Sequence, residues 1–276
     1  MVTELSPAIS YSLSHAKSLL SGKRILVLTG AGISTASGIP DYRGEGRVQK
    51  HPLTFDEFMG SAANQARYWA RSYVGYNRIA EANPNPGHFA LAKAEQSGGV
   101  FGIITQNVDG LHQKAGSNAV LELHGRLDRV LCTGCGEIIS RSEMDKRIAL
   151  LNPELKKDLS VEFSPDGDAE VMVAKDFRVP NCPACSSHYK PDVVFFGEQV
   201  PKDRVERASG LVDEAEAILV AGSSLTVNSG LRLVKRAKEA AKPVVVVNLG
   251  KTKADEIVDA RINASTTEVL ELLLND

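Results

Sequence analysis

The chain has four cysteines, and all of them fall in two C-x-x-C pairs, Cys132-Thr-Gly-Cys135 and Cys182-Pro-Ala-Cys185. Each pair makes a tight turn that aims two thiolates at one point, and two such turns close a tetrahedron around one zinc ion with no open position. A closed site of four thiolates is structural, because catalytic zinc keeps a place for water. In a reducing compartment the pattern points to metal before disulfides. A redox C-x-x-C usually follows a strand at a helix start, a context that neither pair has. The insert at positions 136–181 is long for a zinc ribbon, but the entropy of closing a loop grows slowly with its length.

A second group of residues can handle a phosphate and a proton. Thr29-Gly30-Ala31-Gly32-Ile33-Ser34 follows a short apolar run, and glycines there let backbone N–H groups approach a phosphate. The third glycine of G-x-G-x-x-G is missing, Thr35 standing in its place, and no acidic residue closes the second strand to hold a ribose. The residues alone therefore leave two readings, a nucleotide loop or a tight strand-to-helix turn. Gln106, Asn107 and Asp109 end another strand, where amides and a carboxylate hold a ligand or close an Asx-type turn. His124 ends a third, beside Gly125. A histidine titrates near working pH and suits a general base, although a lone histidine is more often an ordinary core or surface residue. Of the others, His112 reads as structural beside the loop, and His15, His51, His88 and His188 as surface residues.

These groups need a frame. Ser6-Pro7 caps a helix to about Leu20, and Arg24–Thr29 is a short buried strand. Thr54 to Ala80 reads as mostly helical and is broken by Asn83-Pro-Asn-Pro-Gly87, with a further helix over His88–Gln96. Val100–Thr105, Val120–Leu123 and Asp192–Phe196 read as strands. The last third alternates: helix from Lys202, strand Ile218–Ala221, helix from Ser229, strand Val244–Asn248, then two short helices to the end. This alternation predicts an α/β fold, a Rossmann-like parallel sheet with helices on both faces, carrying an inserted small zinc-ribbon and helical module. Near-continuous Val/Ile/Leu runs agree with strands buried on both faces. The expected division is one catalytic domain over 1–276. Its large part takes about 1–50, 98–128 and 191–276, a small helical part about 51–97, and a zinc module about 129–190.

Composition excludes several classes. A net charge of −2, with basic residues scattered, offers no field for nucleic acid. No apolar run reaches the roughly 18 residues of a membrane span. The N-terminus lacks a secretion signal, and with Glu4 present and no arginine before Arg24 it does not suit a transit peptide either. The expected location is cytoplasmic, with the chain starting where its fold starts; the sequence leaves the oligomeric state open, a monomer being compatible with it.

The continuation of the glycine loop, Gly30-Ala-Gly-Ile-Ser-Thr-Ala-Ser-Gly-Ile-Pro-Asp-Tyr-Arg43, closely resembles the sirtuin signature. So do Thr105-Gln-Asn-Val-Asp-Gly-Leu-His112, Leu123-His-Gly125, both cysteine pairs, Val193-Val-Phe-Phe-Gly-Glu198, Gly222-Ser-Ser224 and Asn248-Leu-Gly250. They occur in the family's order over nearly the whole chain. Arg67-Tyr-Trp-Ala-Arg71, Asn83-Pro-Asn-Pro86, Arg129-Val-Leu-Cys132, Pro165-Asp-Gly-Asp168 and the run into Gly197 are most similar to class II sirtuins, especially the mitochondrial one linked to ADP-ribosyl transfer and lipoamide removal.

The resemblance implies an NAD-dependent protein-lysine deacylase. The acyl oxygen attacks the nicotinamide-bearing ribose carbon, a base activates a ribose hydroxyl, and lysine, nicotinamide and O-acyl-ADP-ribose leave. Its alternatives are protein mono-ADP-ribosyl transfer and lipoamide removal with weak deacetylation. It implies His124 as the base, with Asn107 and Asp109 also catalytic. NAD would be held by Gly30, Ala31, Gly32, Ser34, Asp41, Tyr42, Arg43, Gln106, Asn107, Val108 and Asp109, and further along by Gly222, Ser223, Ser224, Asn248, Leu249, Gly250 and Thr266. Tyr42 would shield the reactive ribose face from water and Arg43 would address phosphate. Val193, Val194, Phe195, Phe196, Gly197 and Glu198 would offer an edge to which an acylated-lysine peptide adds as a strand; a plain buried strand fits the same residues. One structural zinc completes the expectation. Sirtuins that remove succinyl or malonyl groups carry Tyr-x-x-Arg after the loop; here Gly44–His51 has none, which predicts weak activity on dicarboxyl acyl groups.

Overall fold

The computed structural model describes residues 6–41, 53–154 and 176–274. Along the chain run α1 (Pro7–Leu20), β1 (Ile25–Thr29), α2 (Phe55–Gly60), α3 (Ala62–Glu81), α4 (Pro86–Gln96), β2 (Val100–Thr105), α5 (Leu111–Lys114), β3 (Val120–Glu122) and β4 (Gly125–Cys132). There follow β5 (Ile138–Ser140), α6 (Arg141–Leu151), β6 (Tyr189–Val193), α7 (Lys202–Glu214), β7 (Ala217–Ala221), α8 (Asn228–Glu239), β8 (Val244–Val247), β9 (Ala260–Ile262) and α9 (Thr266–Leu274).

Six strands form a parallel sheet in the order β3-β2-β1-β7-β8-β9. Every residue of β1, β7 and β8 is buried, because helices cover both faces and leave no side of these strands for water. One apolar cluster, with Val27, Leu219 and Val245, packs α1, α4 and α9 on one face. The other, with Leu28, Val220 and Val246, packs α7 and α8 on the opposite face. Chain order reverses between β1 and β7, and open α/β sheets bind ligands at that switch, beyond the carboxyl ends of the strands. The register makes those ends level, since Thr29 lies beside both Thr105 and Ala221, Thr105 beside Glu122, and Ala221 beside Val247. The loops beginning at Gly30, Gln106, Leu123, Gly222 and Asn248 therefore leave the sheet along one line.

The second unit is an antiparallel sheet, β5-β4-β6, that shares a core with α2 and α3. Trp69 of α3 is fully buried there and donates its indole N–H to Tyr189 O at 3.1 Å. Arg141 is also buried, which its five donors permit only if they are used: Nε meets Asp145 and the two terminal nitrogens meet the hydroxyl and carbonyl of Ser72.

The sequence reading needs four corrections. The expected strand Asp192–Phe196 is Tyr189–Val193, paired with β4 outside the parallel sheet, and Phe196 forms an isolated bridge with Thr54. The tail has one strand and one helix where two helices were expected, because Ala260–Ile262 finds a free edge on β8. α4 begins at Pro86, with Asn85 as its cap, and packs on the main sheet, whereas only α2 and α3 join the small unit. His88, expected at the surface, is fully buried in α4.

Candidate active site

The loops after β1 and β7 meet backbone to backbone. Gly32 N–H donates to Gly222 O at 2.8 Å and Gly30 N–H to Ala221 O at 3.3 Å. Gly222 has φ +65°, and a Cβ there would lie 2.3 Å from Ile33 N, so only glycine fits. The N–H groups of Ile33 and Ser34 are used within the turn as well. The glycines thus serve the close approach of two loops, and the donors expected to face a phosphate from Gly30 and Gly32 are already engaged.

Behind this contact lies a polar network. Ser34, 1% exposed, donates its hydroxyl to Asp109 Oδ2 at 2.7 Å and accepts from Asn107 Nδ2 at 3.1 Å. Asn107 Nδ2 also reaches Gly30 O, and Asp109 Oδ1 accepts Leu111 N–H at 2.9 Å. The Asx turn is therefore present: one oxygen of the carboxylate closes it on Leu111 and the other holds Ser34. Burial pushes the Asp109 pKa up, against the pull of the Leu111 and Ser34 donors. Below it, Thr29 Oγ1 lies 2.9 Å from His112 Nε2, and His112 packs edge-on against His88 at 5.0 Å. Burial lowers His88 to about 4, while burial and the neighbouring His88 lower His112 to about 3; both are neutral supports.

Gln106 spans the switch, donating to Ser223 Oγ at 2.8 Å. Ser223 Oγ also accepts Leu225 N–H, which leaves its own proton for another acceptor. Asn248 turns its amide onto Leu249 O and Gly250 O, shaping the loop after β8.

His124 stands between these loops. Its Nδ1 lies 3.0 Å from Gln106 O and its Nε2 2.8 Å from Ser229 Oγ. A carbonyl only accepts, so Nδ1 carries the hydrogen and Nε2 holds the lone pair. Burial lowers its pKa, Gln106 O opposes that, and Arg204 adds to it. The ring is therefore neutral near pH 7, with its basic nitrogen on Ser229, which lines the same cavity as His124. Gly125, next in the chain, has φ +84° and lies against β6, where a Cβ would come within 1.9 Å of Asp192 O.

The strap after β6 closes one side. Val194 N–H donates to His124 O, and Phe55 N–H to Phe196 O, each at 2.9 Å. Lys190, 7% exposed, gives Nζ bonds to Val193 O and to both oxygens of Glu198, and Glu198 accepts Phe195 N–H. A buried ammonium with all three donors used pins the strap.

Together these walls enclose a cavity of about 1780 Å³. Its lining includes Gly30, Ala31, Gly32, Ser34, Asp41, Gln106, Asn107, Val108, Asp109 and His124, with Gly222, Ser223, Ser224, Asn248, Leu249 and Gly250. Val193, Val194, Phe195, Phe196 and Glu198 line it too, whereas Gly197 does not. Thr266 does not reach it either. At 4% exposure it opens α9, and its hydroxyl lies beside Gly87 of α4. Tyr42, Arg43 and Gly44–His51 lie outside the described residues. Ser229, Gly230, Lys190 and Arg204 were missed. Ser229 and Gly230 open α8 and read in sequence as an ordinary helix start, and nothing local links them to Gln106 and His124.

The cysteines form a separate corner. Their four sulfurs all lie within 4.8 Å of one another, with Cys132 and Cys185 3.4 Å apart and Cys135 and Cys182 3.7 Å apart. Thiolates about 2.3 Å from one tetrahedral zinc stand roughly 3.8 Å apart, so the set fits one closed zinc. Backbone bonds at both knuckles, Gly136 N–H to Cys132 O and Ser186 N–H to Cys182 O, hold the turns.

The Sir2 family model matches residues 30–229, which run from the glycine loop through the zinc corner to the start of α8. The chain belongs to the Sir2 family. It is 46% identical over 262 residues to NAD-dependent protein deacetylase 1 of Mycobacterium avium, covering 94% of this chain and 93% of that one. It is 44% identical over 259 residues to the human NAD-dependent protein lipoamidase sirtuin-4, mitochondrial, covering 91% and 82%. A solved Sir2 structure with a p53 peptide and NAD+ superposes with a TM-score of 0.74 at 32% identity, over 93% of this chain and 95% of that one. A Sir2 protein uses NAD, and the cavity fits it: the lining offers amides, hydroxyls and a carboxylate along one sheet edge. Its volume exceeds the roughly 300–1,000 Å³ of a pocket for one small ligand, leaving room for a second reactant.

Proposed function

We propose that this Sir2-family enzyme is an NAD-dependent protein-lysine deacylase, acting first on acetyl-lysine, with His124 as its general base. The observation that carries the assignment is the fixed tautomer, Nδ1–H on Gln106 O with the Nε2 lone pair at the cavity. Bound NAD would supply an electrophilic ribose carbon for the acyl oxygen, with nicotinamide as its leaving group, and ribose hydroxyls as acceptors of the acyl group. His124 Nε2 takes the proton from one such hydroxyl. Asn107 and Asp109, backed by Ser34, orient the ribose and nicotinamide side, while Ser223, Ser224 and the Asn248 loop hold the adenosine side. The strap from Val193 to Glu198 accepts the peptide as an added strand, which reads backbone more than sequence. The zinc is structural. The class II texture, a reducing cytoplasmic setting and a monomer belong to the same reading.

The second reading, lipoamide removal or ADP-ribosyl transfer with weak deacetylation, is favoured by the likeness to the human lipoamidase. Mass spectrometry of one lysine peptide carrying acetyl, butyryl, succinyl, lipoyl or no group, with and without NAD, separates the two. NAD-dependent acetyl loss with O-acetyl-ADP-ribose supports the first reading. Loss of lipoyl alone, or ADP-ribose on protein, supports the second. Desuccinylation as fast as deacetylation would overturn the expected weakness on dicarboxyl groups.

A further inference from the structure

Among the described residues, the side chain bonded to the basic nitrogen of His124 is the hydroxyl of Ser229, which belongs to the start of α8 and was not expected there. We propose that Ser229 is a positioning residue for the base: a rotatable hydroxyl that donates to Nε2 while His124 is neutral and accepts from Nε2–H once the ring has taken a proton. The inference rests on His124 being the base.

The geometry requires such a partner. Gln106 O fixes Nδ1–H in both protonation states and cannot follow the proton on the other nitrogen. The ring is half-buried, and its cationic form meets an unfavourable field. Arg204 of α7 opposes it, only partly neutralised by its ion pair with Asp192 of β6 at 2.7 Å. Arg232 of α8 lines the same cavity, and Ser229 itself is the second residue of α8, at the positive end of that helix. Glu122 and Arg126, which flank His124 in the chain, are bound to each other at 3.2 Å. Among the described residues no carboxylate stands on Nε2 to hold an imidazolium. A hydroxyl can, because its oxygen accepts from the cation as readily as its proton caps the neutral ring, and the charge-assisted bond is the stronger of the two.

Ser229 is also held in place. α8 cannot slide away from this contact without losing its packing on Gln106, where a Cβ on Gly230 would lie 2.9 Å from Oε1. Gln106 in turn is tied to Ser223. The start of α8 is thereby indexed to the strand end that holds the other side of the imidazole.

The test is the titration of the His124 ring in the free enzyme by NMR, its signal assigned by its loss in His124→Ala. In Ser229→Ala the imidazolium loses its acceptor, so the midpoint should fall by about half to one pH unit. The acid limb of kcat/KM should move the same way, with kcat reduced more than KM is raised. Ser229→Thr keeps the hydroxyl and should restore both. An unchanged His124 midpoint in Ser229→Ala would overturn the inference, as would a Ser229→Thr enzyme that behaves like the alanine variant. Full turnover in His124→Ala would instead remove the base assignment and leave the ring titration to stand or fall alone.

Discussion

The zinc corner and the base pocket are both clusters of titratable side chains, yet they are assembled in opposite ways. At the corner, each half of the site is made by four consecutive residues, so the spacing C-x-x-C already contains its geometry. At the pocket, the groups on one imidazole come from three places: Gln106 after β2, Ser229 on α8 and Arg204 on α7. Only the level ends of the parallel strands bring them together. The two regions are nevertheless coupled. β4 runs from Gly125, beside the base, to the ligand Cys132, and β6 runs from the second knuckle back to the strap. Zinc ties the far ends of two strands whose near ends meet where Val194 N–H bonds His124 O.

The largest effect should come from breaking the corner. Cys182→Ser should abolish the one zinc per chain read by metal analysis, unfold the small unit and take activity with it, since structural zinc contributes on the order of 10 kcal/mol in small zinc domains. A folded, active variant without metal would break the coupling. His124→Ala should do the reverse. Turnover should fall about 10²–10⁴-fold while zinc content and thermal unfolding stay unchanged. Between the two regions, Gly125→Ala forces a side chain into Asp192 O at a positive φ. It should cost on the order of 2–4 kcal/mol in denaturant unfolding and raise the peptide KM, with zinc retained. Wild-type stability in this variant would show that the strand ends can separate freely.

The smallest effect is on acid stability. His88 is buried and neutral with its pKa lowered from 6.5 to about 4. The unfolded chain binds the proton first, so stability is fully present above pH 6.5 and is lost as pH falls from there to about 4, by roughly 3 kcal/mol at most. His88→Gln should lessen the fall of urea midpoints across that window, His112 supplying what remains, while changing zinc content not at all. An equal slope in both proteins would mean that His88 is not an acid-sensitive element.

The burial of His88 illustrates what a sequence hides. Nothing in Pro86-Gly-His-Phe distinguishes a surface histidine from a buried one: the Asn85 N–H to Nδ1 bond is local to the helix start, but the burial comes only from packing α4 on the sheet. Phe89, next in the chain, is instead half exposed. The strap taught the same lesson. Val193-Val-Phe-Phe reads as a strand, but past Val193 its backbone groups go to separate partners: Val194 N–H to His124 O, Phe195 N–H to Glu198, and Phe196 O accepts Phe55 N–H, so the ladder stops there.

The sequence by itself determined what depends on neighbours in the chain. Apolar runs of strand length fixed the parallel sheet, Ser6-Pro7 fixed the start of α1, and two C-x-x-C turns fixed the zinc ligands, because period, capping and knuckle geometry are local. The signature around Gly30, Gln106 and His124 identified the family for the same reason. The tertiary structure decided the rest. It alone spends the glycine N–H groups on Ala221 and Gly222, removes Thr266 from the cavity and places Ser229 on the base, since each depends on which strands become neighbours at the switch between β1 and β7.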